Sequence, residues 1–503
     1  MVYERQEKLK MKKKSSVSLI LAAVLLFSAG LAAGSLIRSP QAPPAASVDP
    51  CLTDGITDPP VPENIPVTAG TTRNMLRPGY WTTGRQDRLL FTAEEIADFN
   101  ENNPLYVLYY SPEKGRSVKL YMYDLPETLD GYIVKTLIAP QKAKDFTSGG
   151  KTAYVNGKAS DAAYWNGLVK NCAAGSIPGT VDPVYAVSVR RTVSYVLPSD
   201  DFVSGEPDEK YINDMVSAEV MPFTGVVILH ESADKEWSFI LNGTVCGWTR
   251  TEDLCICSDK DQWLAAARPE SFITVTGCEI VMDETAVPTA SSGMVLPMGT
   301  KLRLASGSTT AVSGRSALGC YTVEIPFRRD DGTLGFEQAL VPVSEDVCEG
   351  YPAMTSSSVI EQAFKFLGRV YGWGGTLSSN DCSGFIRQVY SCYGFELPRN
   401  SLAIATLTDL GRSDCSEMTL PRKRQVIKNM PAGQLLYMDG HLMLYLGMDG
   451  DKPYVISSCA SYIDPQSKEM VDANCVFVSG LDLLRKNGKT WLESISYFQD
   501  RDY

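Results

Sequence analysis

Cys382 stands where a chain can make a thiol reactive. A glycine-rich run, Gly372-Trp373-Gly374-Gly375, leads to Asp381-Cys382-Ser383-Gly384, after which Phe385, Ile386, Val389, Tyr390 and Tyr393 recur at helical spacing up to Gly394. The spacing predicts a helix whose first turn holds Cys382 and whose N-cap is Asp381. Unpaired backbone N–H groups and the positive end of the helix dipole are expected to lower the thiol pKa there and favour a thiolate. A cysteine nucleophile working by acyl transfer needs a general base, in practice an imidazole oriented by a third polar group. The chain has two histidines. His441 opens the run HLMLYLG directly after Asp439-Gly440, and Leu442, Leu444 and Leu446 alternate with Met443, Tyr445 and Gly447 as in a strand. Tyr454-Val455-Ile456-Ser457-Ser458 reads as a neighbouring strand that brings a hydroxyl to the far side of the imidazole. His230, inside the apolar run GVVILHES with no cysteine beside it, is expected to be structural.

The elements that must position these residues are legible on either side. Ser358 and Glu361 form a capping box, and Val359, Ala363, Phe366, Leu367 and Val370 give one buried stripe, so a helix is expected to carry the chain to Tyr371. With the Cys382 helix and the C-terminal strands, this makes an α+β domain over residues 351–503.

Tyr371 with Trp373-Gly374-Gly375, then Asp381-Cys382-Ser383-Gly384-Phe385, then Leu397-Pro398-Arg399-Asn400-Ser401, then Gly440 to Gly447, resembles the NlpC family of papain-like bacterial cell-wall peptidases. The resemblance implies a Cys-His-polar triad that cleaves the stem peptide of peptidoglycan after γ-D-glutamate and before a diamino acid. It implies Cys382 as nucleophile and His441 as base, with Tyr371 and the Cys382 N–H near the oxyanion and with Asp381 and Ser383 holding substrate. Two positions depart from the family pattern. Ser457 stands where many relatives have a second His, Asn or Gln to orient the imidazole, and a hydroxyl carries no charge to stabilise imidazolium. Asn400 stands where some relatives have an acid that binds the free amino terminus of a trimmed stem peptide.

The rest of the chain sets the context. A chain of 503 residues, 44% hydrophobic and 21% charged, holds material for several domains, and a net charge of −12 excludes a nucleic-acid partner, which needs a basic face. Residues 1–38 read as a signal peptide or signal anchor: Arg5, Lys8, Lys10, Lys12, Lys13 and Lys14 precede an uncharged apolar run from Ser15 to Ile37 that is long enough to span a bilayer. Export to the cell wall, or anchoring at the outer face of the cytoplasmic membrane, is therefore expected. Residues 39–70 form a Pro-rich linker. Residues 71–181 are expected as a mixed N-terminal accessory domain, with helices near Thr92 to Phe99 and Ser160 to Lys170. Short strands with an Asn242-Gly243 hairpin signal mark 182–265, and a similar pattern marks 270–346. Both look like small all-β bacterial SH3-type barrels, in which Trp237 and Trp248 are read as core rather than as a groove lining. Of the 13 cysteines, an odd number leaves at least one thiol free if the others pair within the chain. Cys255-Ile256-Cys257 lacks the spacing and partners of a metal site, and no metal or cofactor is expected.

The expected molecule is thus a multidomain protein: a mixed N-terminal domain, two SH3-like barrels and an α+β papain-like peptidase domain. It is expected to act as a monomer on peptidoglycan stem peptides. A catalytically weak wall-binding protein, and an amidase or acyltransferase using the same Cys-His pair, are the alternative readings.

Overall fold

The computed structural model of the protein describes residues 58–138, 143, 146, 151–307 and 309–499. The expected signal segment 1–38, residues 39–57 of the linker and Cys51 lie outside the described residues. Among those described, no helix is long and apolar enough to cross a membrane.

Helix α1, Ala93–Asn102, begins where Thr92 and Glu95 cap each other: the Thr92 hydroxyl accepts from the Glu95 N–H at 3.1 Å, and the Glu95 carboxylate accepts from the Thr92 N–H at 2.8 Å. It buries Ile96 and Phe99. Helix α2, Ala162–Asn171, is capped by Asp161. The stretch 71–181 does not gather around one core. Met75, Trp81, Leu90, Phe91, Ile96 and Phe99 pack with the C-terminal domain, whereas Val107, Leu120, Val134, Trp165 and Val181 pack with the first large sheet.

That sheet holds β1 (Val184–Ser188), β2 (Thr192–Tyr195), β3 (Val216–Val220), β4 (Gly225–Glu231), β5 (Trp237–Asn242), β6 (Val245–Arg250) and β7 (Leu254–Ile256). Its order is β3-β2-β6-β5-β4-β1-β7, with antiparallel pairings. The expected hairpin at Asn242-Gly243 joins β5 to β6, with Gly243 at φ +58°. Helix α3, Lys260–Ala267, follows. A second sheet holds β8 (Phe272–Val275), β9 (Lys301–Leu304), β10 (Cys320–Arg328), β11 (Leu334–Pro342) and β12 (Val347–Glu349) in the order β11-β10-β9-β8-β12. The described end strands of either sheet do not pair with each other, so where closed SH3-like barrels are expected the molecule has open sheets. Their inner faces share one apolar core. Trp237 and Trp248 are buried in it, as core residues.

The C-terminal domain carries α4 (Ser356–Phe364), α5 (Cys382–Ser391), α6 (Ser401–Ala405), β13 (Arg412–Asp414), α7 (Leu420–Asn429), β14 (Leu435–Met438), β15 (His441–Asp449), β16 (Lys452–Ile463), β17 (Met470–Gly480), α8 (Trp491–Ser494) and β18 (Ile495–Gln499). The antiparallel sheet runs β13-β18-β14-β15-β16-β17. β15 is central and buried on both faces: Leu442, Leu444 and Leu446 face the core of α4 and α5, and Met443 and Tyr445 face a second core under α7 and α8. Helix α5 is amphipathic as its spacing predicts, with Phe385, Ile386, Val389 and Tyr390 inaccessible to solvent. Each such burial is worth about 1.5–3 kcal/mol against leaving the side chain exposed, which fixes the helix on the sheet.

Helix α4 begins earlier than the Ser358–Glu361 box predicts. Thr355 is the N-cap and Ser358 its reciprocal partner, because Met354 and Thr355 are held extended by pairing with Leu89–Phe91. The helix ends at Phe364, and Val370 lies beyond it with 37% of its surface exposed.

Candidate active site

Cys382 is the first residue of α5, and Asp381 is its N-cap: the Asp381 carboxylate accepts from the Gly384 N–H at 2.8 Å and from the Gly374 N–H at 3.0 Å. Arg399 grips the same carboxylate with both terminal nitrogens, at 3.1 and 2.5 Å, and donates to the Ser383 hydroxyl at 2.8 Å. Burial works against the charge on Asp381, but Arg399 and the two N–H groups outweigh it and hold the carboxyl below its usual range. The loop before it needs its glycines. Gly374 and Gly375 have φ +63° and +99°, and a Cβ on either would lie 2.5 Å from Val216 Cγ1 or 2.4 Å from Glu219 Cβ. Strand β3 of the first sheet thus packs directly on the loop that leads to Cys382.

The Cys382 sulfur lies 4.0 Å from the Gly440 carbonyl, beside the start of β15. His441 opens that strand, and its Nε2 is 3.1 Å from the Ser457 hydroxyl on β16. Both are buried, Ser457 completely. The register that pairs Leu444 with Ile456 places Ser457 on the strand beside the histidine. The ring of Trp491 stands edge-on to the imidazole at 5.2 Å. Next to Ser457, the Ser458 hydroxyl donates to the Asn380 carbonyl at 2.7 Å, tying β16 to the loop before Asp381.

The protonation states differ from the expectation of a preformed thiolate. Burial pushes the Cys382 thiol up from its ordinary value near 9 to about 12, and the Asp381 charge adds to this; Arg399 and the backbone N–H groups of Ser383 and Leu442 offset only part. Burial, assisted by Arg485, lowers His441 to about 3. A helix N-terminus is worth about 0.3–1 kcal/mol to a nearby anion, too little to overturn desolvation at a site with 8% of its surface exposed. Between these two values thiol and imidazole are both neutral.

Tyr371 is buried, donates its N–H to the Asn474 carbonyl at 2.8 Å, and has a hydroxyl pushed well above its ordinary pKa by burial and by the charges of Asp381 and Cys382. Ser383 donates to Asp381 at 3.2 Å and accepts from Arg399. Asn400 is placed apart. It is the exposed N-cap of α6, accepting from the N–H groups of Leu402 and Ala403 at 2.9 and 3.3 Å. His230 sits on β4 at 6.2 Å from the ring of Trp248. Cys459 on β16 has Cys475 of β17 as its cross-strand partner, and the Cys382 charge raises its pKa after burial. Among the described residues no three His, Cys, Asp or Glu side chains gather as a metal ion requires.

Sequence reasoning assigned no role to Arg399, Glu219, Arg191 or Trp491. Glu219 is almost wholly buried on β3, 2.8 Å from Arg387 of α5, 3.5 Å from Arg191 and 4.0 Å from Arg399. Its one sequence signal is an acid within the strand VSAEV, where a charge on an apolar face implies a partner.

Residues 368–475 match the NlpC/P60 family model. No curated protein matches the chain. An NlpC/P60 endopeptidase from Photobacterium damselae subsp. piscicida is similar in structure with a TM-score of 0.65 at 14% identity, over 86% of this chain and 97% of that one, a likeness of fold. An NlpC/P60 family protein from Bacillus cereus matches with a TM-score of 0.42 at 16% identity, over 62% of this chain and 98% of that one.

Proposed function

We propose that this protein, which carries an NlpC/P60 domain at residues 368–475, is a peptidoglycan stem-peptide hydrolase that cuts the bond between γ-D-glutamate and a diamino acid with Cys382 as nucleophile. The observation that carries the reading is the buried His441–Ser457 pair, 3.1 Å apart, on the strands beside the Cys382 sulfur in that domain. In this reading Ser457 accepts the Nε2–H of His441, which leaves the lone pair of Nδ1 for the thiol proton. The sulfur attacks the scissile carbonyl as Nδ1 takes that proton, and the oxyanion forms near the Cys382 N–H and Tyr371. Collapse of the tetrahedral intermediate expels the amine of the diamino acid, which receives the proton from His441. Water, deprotonated by the same nitrogen, then opens the thioester and restores the thiol. Because both groups start neutral, proton transfer accompanies attack. The two sheets stand where SH3-type modules are expected and limit the approach to the site, and residues 1–38 export or anchor the protein so that it meets the wall from outside the cytoplasm.

The test is mass spectrometry of stem peptides incubated with the full chain beside Cys382→Ala. The expected result is release of the diamino-acid fragment by the first and a loss of about four orders of magnitude or more in the second. Equal cleavage by both would overturn Cys382 as nucleophile. Retained wall binding with no cleavage by either would favour a wall-binding protein, and cleavage at another amide would favour an amidase.

A further inference from the structure

We propose that Arg191, in the connection from β1 to β2, and Glu219, on β3, both outside the matched domain, are positioning residues for Cys382, so that the first sheet completes the active site. The inference rests on the reading of Cys382 as the nucleophile. Arg191 follows β1 and reaches across to the loop before the nucleophile. Its guanidinium donates to the carbonyls of Ser378 and Ser379 at 2.7 and 2.5 Å and to the Asn380 side chain at 3.3 Å. Leu377 and Ser378 hold φ +57° and +49°, left-handed conformations that residues with a Cβ adopt only when their surroundings impose them. The fork of Arg191 is one such restraint, reaching as far as Asn380, next to Asp381.

Glu219 secures the other side. Its carboxylate lies among three guanidinium groups: Arg191, which grips the loop; Arg387, which sits on α5; and Arg399, which grips the N-cap Asp381. Three cations converging on one buried point would repel one another without an acid between them, so Glu219 is what allows loop, helix and cap to be held from one place. The packing is equally direct, since the chain around Val216 and Glu219 leaves no room for a Cβ at Gly374 or Gly375. The two oxygens divide the work: Oε1 meets Arg387 at 2.8 Å and Arg399 at 4.0 Å, and Oε2 meets Arg191 at 3.5 Å.

The experiment compares full-length Arg191→Lys and Glu219→Gln with the unaltered protein. The first keeps the charge and loses the fork; the second keeps the shape and loses the charge. Stem-peptide kcat and KM are measured together with the iodoacetamide alkylation rate of Cys382 against pH, followed on the peptide that contains it. The titratable groups around the thiol, Asp381, Arg399, Tyr371, Tyr437, Cys459 and His441, are the same in all three proteins. A loosened loop admits water, and loss of the Glu219 charge leaves Arg399 less compensated; both changes ease ionisation of the thiol.

The expected result is a kcat lower by about tenfold or more at unchanged KM, with the alkylation profile moved to lower pH by about half a unit or more. Unchanged kcat and an unchanged profile in folded variants would overturn the proposal. A raised KM at constant kcat would also overturn it, making Glu219 a substrate-binding residue instead. Should Glu219→Gln fail to fold, Arg191→Lys decides alone, because Arg191 is partly exposed and Glu219 keeps Arg387 as its partner. If the unaltered protein cuts no stem peptide, the hydrolase reading fails, while the alkylation profiles still decide whether the first sheet positions Cys382.

Discussion

The two sheets hold opposite ends of helix α5 in different ways. At the N-terminus the first sheet supplies charge and a fork, Glu219 and Arg191, against Arg387, Arg399 and the loop carbonyls. At the C-terminus the second sheet supplies close packing: Gly299 sits so near the helix that a Cβ there would lie 1.8 Å from Ser391 Oγ, and the Cys392 thiol points at the Val275 carbonyl at 3.6 Å. The helix carries a cysteine at each end, and burial raises both thiols to about 12. A shifted pKa therefore does not separate them. Cys382 is distinguished by what surrounds it, the strand that carries an imidazole with its own hydroxyl partner, whereas Cys392 lies near Lys365, Cys348 and Asp346.

Two glycine substitutions break this contrast most sharply. Gly375→Ala forces a Cβ against Glu219 at φ +99°, and kcat is expected to fall about a hundredfold through misplacement of the nucleophile loop. Gly299→Ala, at φ +83°, is expected to cost about 1–2 kcal/mol of stability with kcat almost unchanged. Thermal unfolding and steady-state kinetics on both proteins check the pair. Equal effects on kcat would show that the two ends are held alike.

A smaller effect is expected at Ser457. Ser457→Ala leaves the buried Nε2–H of His441 without an acceptor, a loss of about 1–3 kcal/mol, and kcat is expected to fall about tenfold. The pH profile sharpens the point. With the free thiol near 12 and His441 near 3, kcat/KM is expected to stay level from about pH 5 to 8, with no acid limb near the ordinary histidine value. His441 is neutral when folded and takes up a proton near pH 6.5 when unfolded. It therefore favours the folded state above that pH, and the advantage is lost as pH falls towards 3. Thermal unfolding of the unaltered protein and of Ser457→Ala across this range measures it.

What could be read from the sequence was what is local. The α5 stripe and the β15 strand follow from periodicity within a dozen residues, and the His441–Ser457 juxtaposition follows once two consecutive strands pair as a hairpin. Long-range packing overrode local signals elsewhere. At Cys382, burial beside β15 and the neighbouring Asp381 outweigh the helix dipole that would favour a thiolate. The Ser358–Glu361 box lost to Thr355 because a strand from residues 89–91 holds that residue extended. Glu219 and Arg191 were invisible for the same reason: their partners in the C-terminal domain lie more than a hundred residues along the chain. The division of residues 71–181 between two cores likewise depends on where each apolar side chain finds a face to cover.

Asn400 gives the smallest and most selective test. Its side chain caps α6, and Asp caps a helix as well as Asn does, so Asn400→Asp is expected to leave stability within about 0.5 kcal/mol. The substitution adds an acid at the exposed start of α6, directly after Arg399, whose guanidinium is committed to Asp381 and Ser383. A new carboxylate there can attract a substrate ammonium. Stem peptides with a free amino terminus are therefore expected to gain over otherwise identical acetylated ones, by a few-fold in KM and with little change in kcat, as a partly screened charge pair of about 0.5–1 kcal/mol would give. Paired KM values for the two peptides on both proteins measure the gain. An equal response to both peptides would place the substrate amino terminus away from α6, and the next place to look for selectivity is β3 of the first sheet, which packs on the loop leading to Cys382.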